Sequence, residues 1–192
     1  MRNLGRLPLC LLRRDDRGAV GVLIALLIGG GVLLGMAALV IDVGQIYQNR
    51  AELQNGADAA ALAIARQCAL GTCASATALT TAVTFADANA SALTQGTAGV
   101  SAVCGSDGLG SCSAYIGSGL TACPPDPTGD TVNFVDVQTE TEFRSGSTLL
   151  PPVFGSTLVG NSTYDGTTVR ACAQAEWQPG SDVTADDIRL TG

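Results

Sequence analysis

The chain has 192 residues and a formal charge of −7, with no histidine and no lysine, so that all ten basic residues are arginines. An acidic chain of this kind is a poor binder of nucleic acid, and without histidine neither a Ser-His-Asp nor a Cys-His catalytic arrangement can be assembled. Hydrophobic residues make up 46 % of the chain but aromatic residues only 4 %; a core of small aliphatic side chains buries little area per residue and needs other support.

Residues 1–18 form a basic leader in which Arg2, Arg6, Arg13, Arg14 and Arg17 outnumber Asp15 and Asp16. Residues 19–41 are 23 uncharged, mostly apolar positions. As a helix they reach roughly 34 Å, slightly more than the hydrocarbon core of a bilayer, and a transmembrane helix is expected over 19–43. The arginine excess of the short flank predicts a cytoplasmic N-terminus in the plasma (inner) membrane, a single pass, and an extracytoplasmic C-terminal part. A cleaved secretory signal has the same outline, but its apolar region is shorter and ends in a small-x-small site. Gly21, Ala25 and Gly29 recur every fourth residue and Gly31 and Gly35 form a GxxxG pair. Such small residues suit close approach of a second membrane helix, although glycine is also common in membrane helices generally.

Asp42 ends the apolar run and reads as a marker of the membrane interface. Beyond it Ile46, Leu53, Ala57, Ala60 and Ile64 share one helical face, with Gln48, Asn49, Glu52, Asn55 and Asp58 between them. This periodicity predicts that the helix continues as an extracytoplasmic amphipathic stalk over 44–70, giving one helix of about 50 residues, half in lipid and half exposed to partners. Gly56 weakens it by about 1 kcal/mol relative to alanine.

A small α+β exterior domain is expected over 71–177. A second helix is predicted at 74–93, followed by a Gly-, Ser-, Cys- and Pro-rich loop at 94–129. Strict alternation at 135–143 predicts a strand with Val135, Val137, Thr139, Thr141 and Phe143 on one face and Asp136, Gln138, Glu140 and Glu142 on a wet one. Pro151 and Pro152 can open a short helix through Leu158, and 168–177 alternates again as an antiparallel strand. Residues 178–192 are acidic and expected to be disordered.

Of the seven cysteines, Cys10 precedes the apolar run and Cys68, Cys73, Cys104, Cys112, Cys123 and Cys172 follow it. An even number on one side of a membrane fits a disulfide framework of an exported domain, with 15 possible connectivities. If all six pair, Cys172 must reach back at least to Cys123, closing a loop of about 50 residues worth roughly 4 kcal/mol in the chain-entropy account. A zinc site is the weaker reading, because there is neither histidine nor a C-x-x-C pair. No Gly-x-Ser-x-Gly elbow and no phosphate loop occur. The paired acids Asp186-Asp187 and Glu140/Glu142 read as solvated surface. No enzyme, cofactor, metal or small-molecule substrate is expected.

Three stretches carry a resemblance: Arg13-Arg-Asp-Asp-Arg-Gly-Ala-Val, the step Asp42-x-Gly44-x-x-Tyr47, and the run Leu53-Gln54-x-x-Ala57-Asp58-Ala-Ala-Ala-Leu62. Together they resemble the N-terminal module of the TadE/TadG-like proteins of Flp (tight-adherence) pilus assembly. The resemblance implies a membrane-anchored minor pseudopilin or assembly component of a type IV-like pilus or secretion system. Its partners would be the lipid bilayer and other assembly proteins, met through the membrane and stalk helix. Processed members of the wider group are cut after a glycine and carry a glutamate five residues later. Gly18 and Ala19 stand at such a junction here, with Leu23 in place of the acid. The Asp-x-Ser-x-Ser metal motif of longer TadG-type proteins is absent. The alternative is a stand-alone anchored exterior module, an adhesin or a binder of an envelope protein, that uses the helix only as a stalk.

Overall fold

The computed structural model describes residues 16–90, 96–112, 123–127, 132–143, 147–154, 166–178 and 188–191. Three helices precede a four-stranded sheet: α1 Asp16–Gly29, α2 Val32–Ala69, α3 Ser75–Asn89, β1 Gly96–Gly105, β2 Asn133–Phe143, β3 Arg170–Trp177 and β4 Ile188–Thr191. The sheet is antiparallel throughout, in the order β1-β2-β3-β4. Leader residues 1–15, including Cys10, lie outside the described residues.

The long N-terminal helix is interrupted. Gly29, Gly30 and Gly31 follow one another, and Gly31 takes the left-handed conformation at φ 72°. Each glycine weakens a helix by about 1 kcal/mol and enters the left-handed region without a Cβ clash, so a run of three is where the helix ends and restarts. The single helix of about 50 residues expected from the apolar pattern is therefore two. The row of small residues is divided as well: Gly21, Ala25 and Gly29 belong to α1, Gly31 sits at the break, and Gly35 belongs to α2.

The amphipathic face of α2 is where its spacing predicts it, but it is not an exposed stalk. Ala57, Ala60, Ala61, Ile64 and Ala65 are fully buried and Leu53 and Cys68 nearly so. They form a core with Ala78 and Ala82 of α3, Val135 and Val137 of β2, and Ala173, Ala175 and Trp177 of β3. The sheet has an apolar face that must be covered, and the nearest apolar surface in the chain is this half of α2. The folded core consequently takes in α2 from about Leu53 onward. α3 adds its alanine stripe, Ala78, Ala82 and Ala86. A Cβ placed on Gly56 would come within 3.1 Å of the Cα of Ala86, so glycine at 56 is what lets the two helix backbones meet this closely.

Four other expectations change. β1 occupies a segment expected to be loop; its sequence, GTAGVSAVCG, lacks the strong alternation that marks β2, and it has a bulge between Val100 and Ala102. On β2 Val135, Val137, Thr139 and Thr141 are buried as expected, yet Asp136 and Gln138 of the supposedly wet face are buried too. Residues 151–154 are not helical; Leu150 forms an isolated bridge with Thr167 instead, in keeping with the extended backbone that a following proline imposes. The rest of that predicted helix, 155–158, lies outside the described residues. At the C-terminal end, residues 188–191 pair with β3 as an edge strand, while 179–187 lie outside the described residues.

All six downstream cysteines pair: Cys68–Cys73 closes the end of α2, Cys104–Cys112 closes the loop after β1, and Cys123–Cys172 ties the middle of the chain to β3 across 49 residues.

Two substitutions test this packing. Gly56→Leu should force α2 and α3 apart and destabilise the domain by about 1–3 kcal/mol, read from the guanidinium midpoint of Trp177 fluorescence in detergent. Replacing Cys123 and Cys172 together by alanine should cost about 4 kcal/mol by the same measurement, with no loss on adding reductant to the variant beyond that from the two shorter bridges.

Candidate functional site at the junction of helix and domain

The residues of the helical motif fall into two groups in space. Asp42, on α2 ten residues beyond its start, accepts hydrogen bonds at Oδ1 from the backbone N–H groups of Val153 (2.9 Å) and Phe154 (3.1 Å). Gln54 Nε2 donates to the carbonyl of Cys172 on β3 and to Asp58 Oδ1, each at 2.9 Å. The carbonyl of Leu53 accepts a bond from Thr139 Oγ1 of β2 at 3.1 Å. The Leu53 side chain packs with Ala86, Leu150, Val169 and Ala171, and Ile46 lies against that cluster. Ala57 is fully buried at the center of the helix-sheet contact. Asp42, Leu53, Gln54 and Ala57 thus hold the helix to its own domain, and Asp58 accepts from Gln54 within the helix. Gly44, Tyr47 and Leu62 point the other way; Tyr47 is 67 % exposed.

The chain's exposed large hydrophobic residues are concentrated just before this junction. From Val20 to Val43 nearly every large aliphatic side chain of α1 and of the first turns of α2 is exposed. α2 is long and apolar enough to cross a membrane by length and composition, and it is preceded by the apolar Gly18–Gly29 segment. Since the second half of α2 is buried in the domain, the surface available to lipid is α1 and α2 up to about Val43. An added Cβ at Gly21, Gly29 or Gly35 would meet nothing within 4 Å, so these positions are open among the described residues. Gly18, Ala19 and Leu23 all fall in the first two turns of α1, and Leu23 is exposed.

A second cluster lies on the sheet face away from the helices. Asp136 is 2 % exposed and its Oδ1 has no hydrogen-bond partner. Its carboxylate and the sulfurs of Cys104 and Cys112 lie within 4.8 Å of one another. The two sulfurs are bonded to each other, which removes the thiolates a metal would need. Across the β2–β3 pairing Asp136 faces Gln174, whose Oε1 accepts from Thr191 Oγ1 (2.8 Å) and whose Nε2 donates to the Pro125 carbonyl (3.4 Å). Burial pushes the Asp136 carboxyl up to about 6; a hydrogen bond from Gln174 opposes the rise, and the charge of Asp126 adds to it. Glu140 is also raised, by burial and then by Glu142, despite its ion pair with Arg170 at 2.9 Å. The alternation of β2 hid this cluster. The available signal was Cys104, Cys112 and Cys172 nearby in the chain pattern: disulfide-tied loops can cover a strand's polar face.

The fold and the junction define a class: an α+β domain of small residues and disulfides, built onto the end of an apolar helix that is a candidate membrane span. Residues 18–67 match the family model Tad, the TadE/G-like Flp pilus-assembly family. The match covers α1, the glycine break and nearly all of α2, and stops before the sheet. Neither a curated protein nor a solved structure matches the chain.

Because the folded-state pKa of Asp136, about 6, lies above the ordinary 3.8, the folded protein keeps a proton that the unfolded chain releases. The associated stability is fully present below about pH 4 and is lost as pH rises through 6, by roughly 3 kcal/mol at most. Asp136→Asn should remove the larger part of this dependence: guanidinium midpoints of the parent should fall between pH 4.5 and 7.5, and those of the variant should fall clearly less over that range, the remainder coming from Glu140.

Proposed function

We propose that this protein is a membrane-anchored component of a Tad/Flp-type pilus or a related type IV-like secretion system, acting as an assembly factor or minor pseudopilin-like subunit. The match of residues 18–67 to the TadE/G-like pilus-assembly family carries this reading. It is supported by the exposed apolar surface of residues 20–43, by the arginine-rich flank before it, and by three disulfides, which persist in an oxidising compartment. The N-terminus is cytoplasmic, the helix spans the inner membrane once, and the folded domain lies outside. The role is architectural and not enzymatic.

Mechanically, the helix is both anchor and cornerstone. The ties made by Asp42, Leu53 and Gln54 mean that a tilt or rotation of the α2 anchor is passed to the sheet without slack, as an assembly part that positions a domain above a membrane requires. Partners within the bilayer would meet the open small residues Gly21, Ala25, Gly29 and Gly35, which allow close helix approach. Above it they would meet the outward Tyr47 and Leu62. The Gly31 break lets α1 take a direction of its own. With Leu23 where processed subunits carry an acid, the protein assists assembly with its leader intact.

Deleting the protein should abolish surface pili seen by electron microscopy, and N-terminal sequencing of the membrane-extracted protein should find the leader uncut. Pili persisting at normal number would instead support a stand-alone exterior binding module. A mature start at Ala19 would replace the assembly-factor role by that of a processed subunit.

A further inference from the structure

The segment 147–154 has unusual properties for a surface connection. It carries no charged side chain, and the uncharged stretch extends in sequence from residue 145 to residue 164. Leu149, Val153 and Phe154 are 40 %, 47 % and 41 % exposed. Leu150 between them turns inward, into the cluster with Leu53 and Val169. The segment is therefore seated by one apolar residue while three others face outward.

Its level along α2 is set by Asp42, the first charged residue after the apolar run, whose carboxylate receives the Val153 and Phe154 amides. Ile41 and Val43, on either side of Asp42, are themselves exposed. The outward apolar residues of 149–154 thus continue the apolar surface of the helix sideways at the height where the span ends.

The backbone accounting points the same way. The N–H of Leu149 donates to Ser147 Oγ (3.3 Å), that of Leu150 to the Thr167 carbonyl (2.7 Å), and those of Val153 and Phe154 to Asp42. Pro151 and Pro152 have no N–H to satisfy. Every amide donor from 149 to 154 is either bonded within the protein or missing. A loop in water has no need of this, because water serves its donors; a loop at the edge of a hydrocarbon layer does, because nothing there replaces the lost bonds. The position is also held firmly, by Thr141 Oγ1 donating to the Thr148 carbonyl (2.7 Å) and by the Thr148–Thr168 hydroxyl contact (3.1 Å).

We propose that residues 149–154 form a second, non-spanning contact with the lipid bilayer, inserting Leu149, Val153 and Phe154 at the boundary of headgroups and acyl chains, with Asp42 as the pin that holds the segment against the helix. The depth is that of an interfacial element, about 5–10 Å. The inference rests on the reading of the apolar helix as a membrane anchor. Its consequence is that the domain touches the bilayer at two points, which sets its orientation about the helix axis as well as its height.

The test uses the full chain reconstituted in phosphatidylcholine vesicles, with and without bromine near the top of the acyl chains. Two variants, Phe154→Trp and Leu33→Trp, are each compared with the parent, whose single Trp177 is buried and provides a constant background. Brominated lipid should reduce the added emission of Phe154→Trp about twofold while aqueous iodide leaves it nearly unchanged, and Leu33→Trp should be quenched by lipid as well. Adding Asp42→Ala to Phe154→Trp should restore most of the lost emission in brominated vesicles and admit iodide; unchanged quenching would remove Asp42 from the proposal. If Leu33→Trp is quenched by lipid and Phe154→Trp only by iodide, the anchor stands and the second contact is overturned. If neither is quenched by lipid, the anchor reading fails and takes this inference with it.

Discussion

The rest of the structure depends on the burial of one alanine-rich helix face against the sheet and against α3. Ala57, Ala60, Ala61, Ile64 and Ala65 leave no exposed surface, and the approach of α3 is close enough that Gly56 meets Ala86 backbone to backbone. Small side chains give modest burial each, at about 0.8 kcal/mol per methylene, so the contact gains its strength from proximity and from many dispersion contacts between backbones and not from large residues. A domain so short of aromatic residues offsets its thin core with cross-links. The 49-residue Cys123–Cys172 loop alone is worth about as much as the burial of two large aliphatic side chains.

The same helix face forces the chain's architecture. Because α2 supplies the core, the domain cannot swing on a flexible linker, and the polar ties at Asp42, Gln54 and Leu53 fix its rotation as well. The interruption of the helix lies on the other side of the junction, at the glycines 29–31, where Gly31 takes the left-handed conformation.

The polar face of the sheet shows what it costs to cover a strand on both sides. Asp136 is buried beneath loops held by two disulfides, with one carboxylate oxygen unpartnered. A buried carboxyl without full hydrogen bonding avoids the charged form, and its elevated pKa is the expression of that cost. The domain carries the penalty because the disulfides hold the loops down.

What the sequence by itself determined was periodic or compositional: the uncharged run, the amphipathic face from Ile46 to Ile64, the second helix, the strands at β2 and β3, and an even set of six cysteines fit for a disulfide framework, while which cysteine meets which was decided by the fold. These follow from local spacing and from counting. The tertiary structure alone decided what each face meets. The apolar side of α2 reads the same whether it faces a partner or its own sheet, and only the long-range pairing of β2 with β3 reveals that the sheet claims it. The wet appearance of Asp136 and Gln138 was a statement about pattern, overruled by loops tied across from distant cysteines. β1 and β4 were illegible because a glycine- and alanine-rich strand and a four-residue edge strand exist through the ladder of a neighbour, not through any preference of their own. Asp42 marked a boundary in the sequence; that its carboxylate holds Val153 and Phe154, more than a hundred residues away, is information that exists only in the fold.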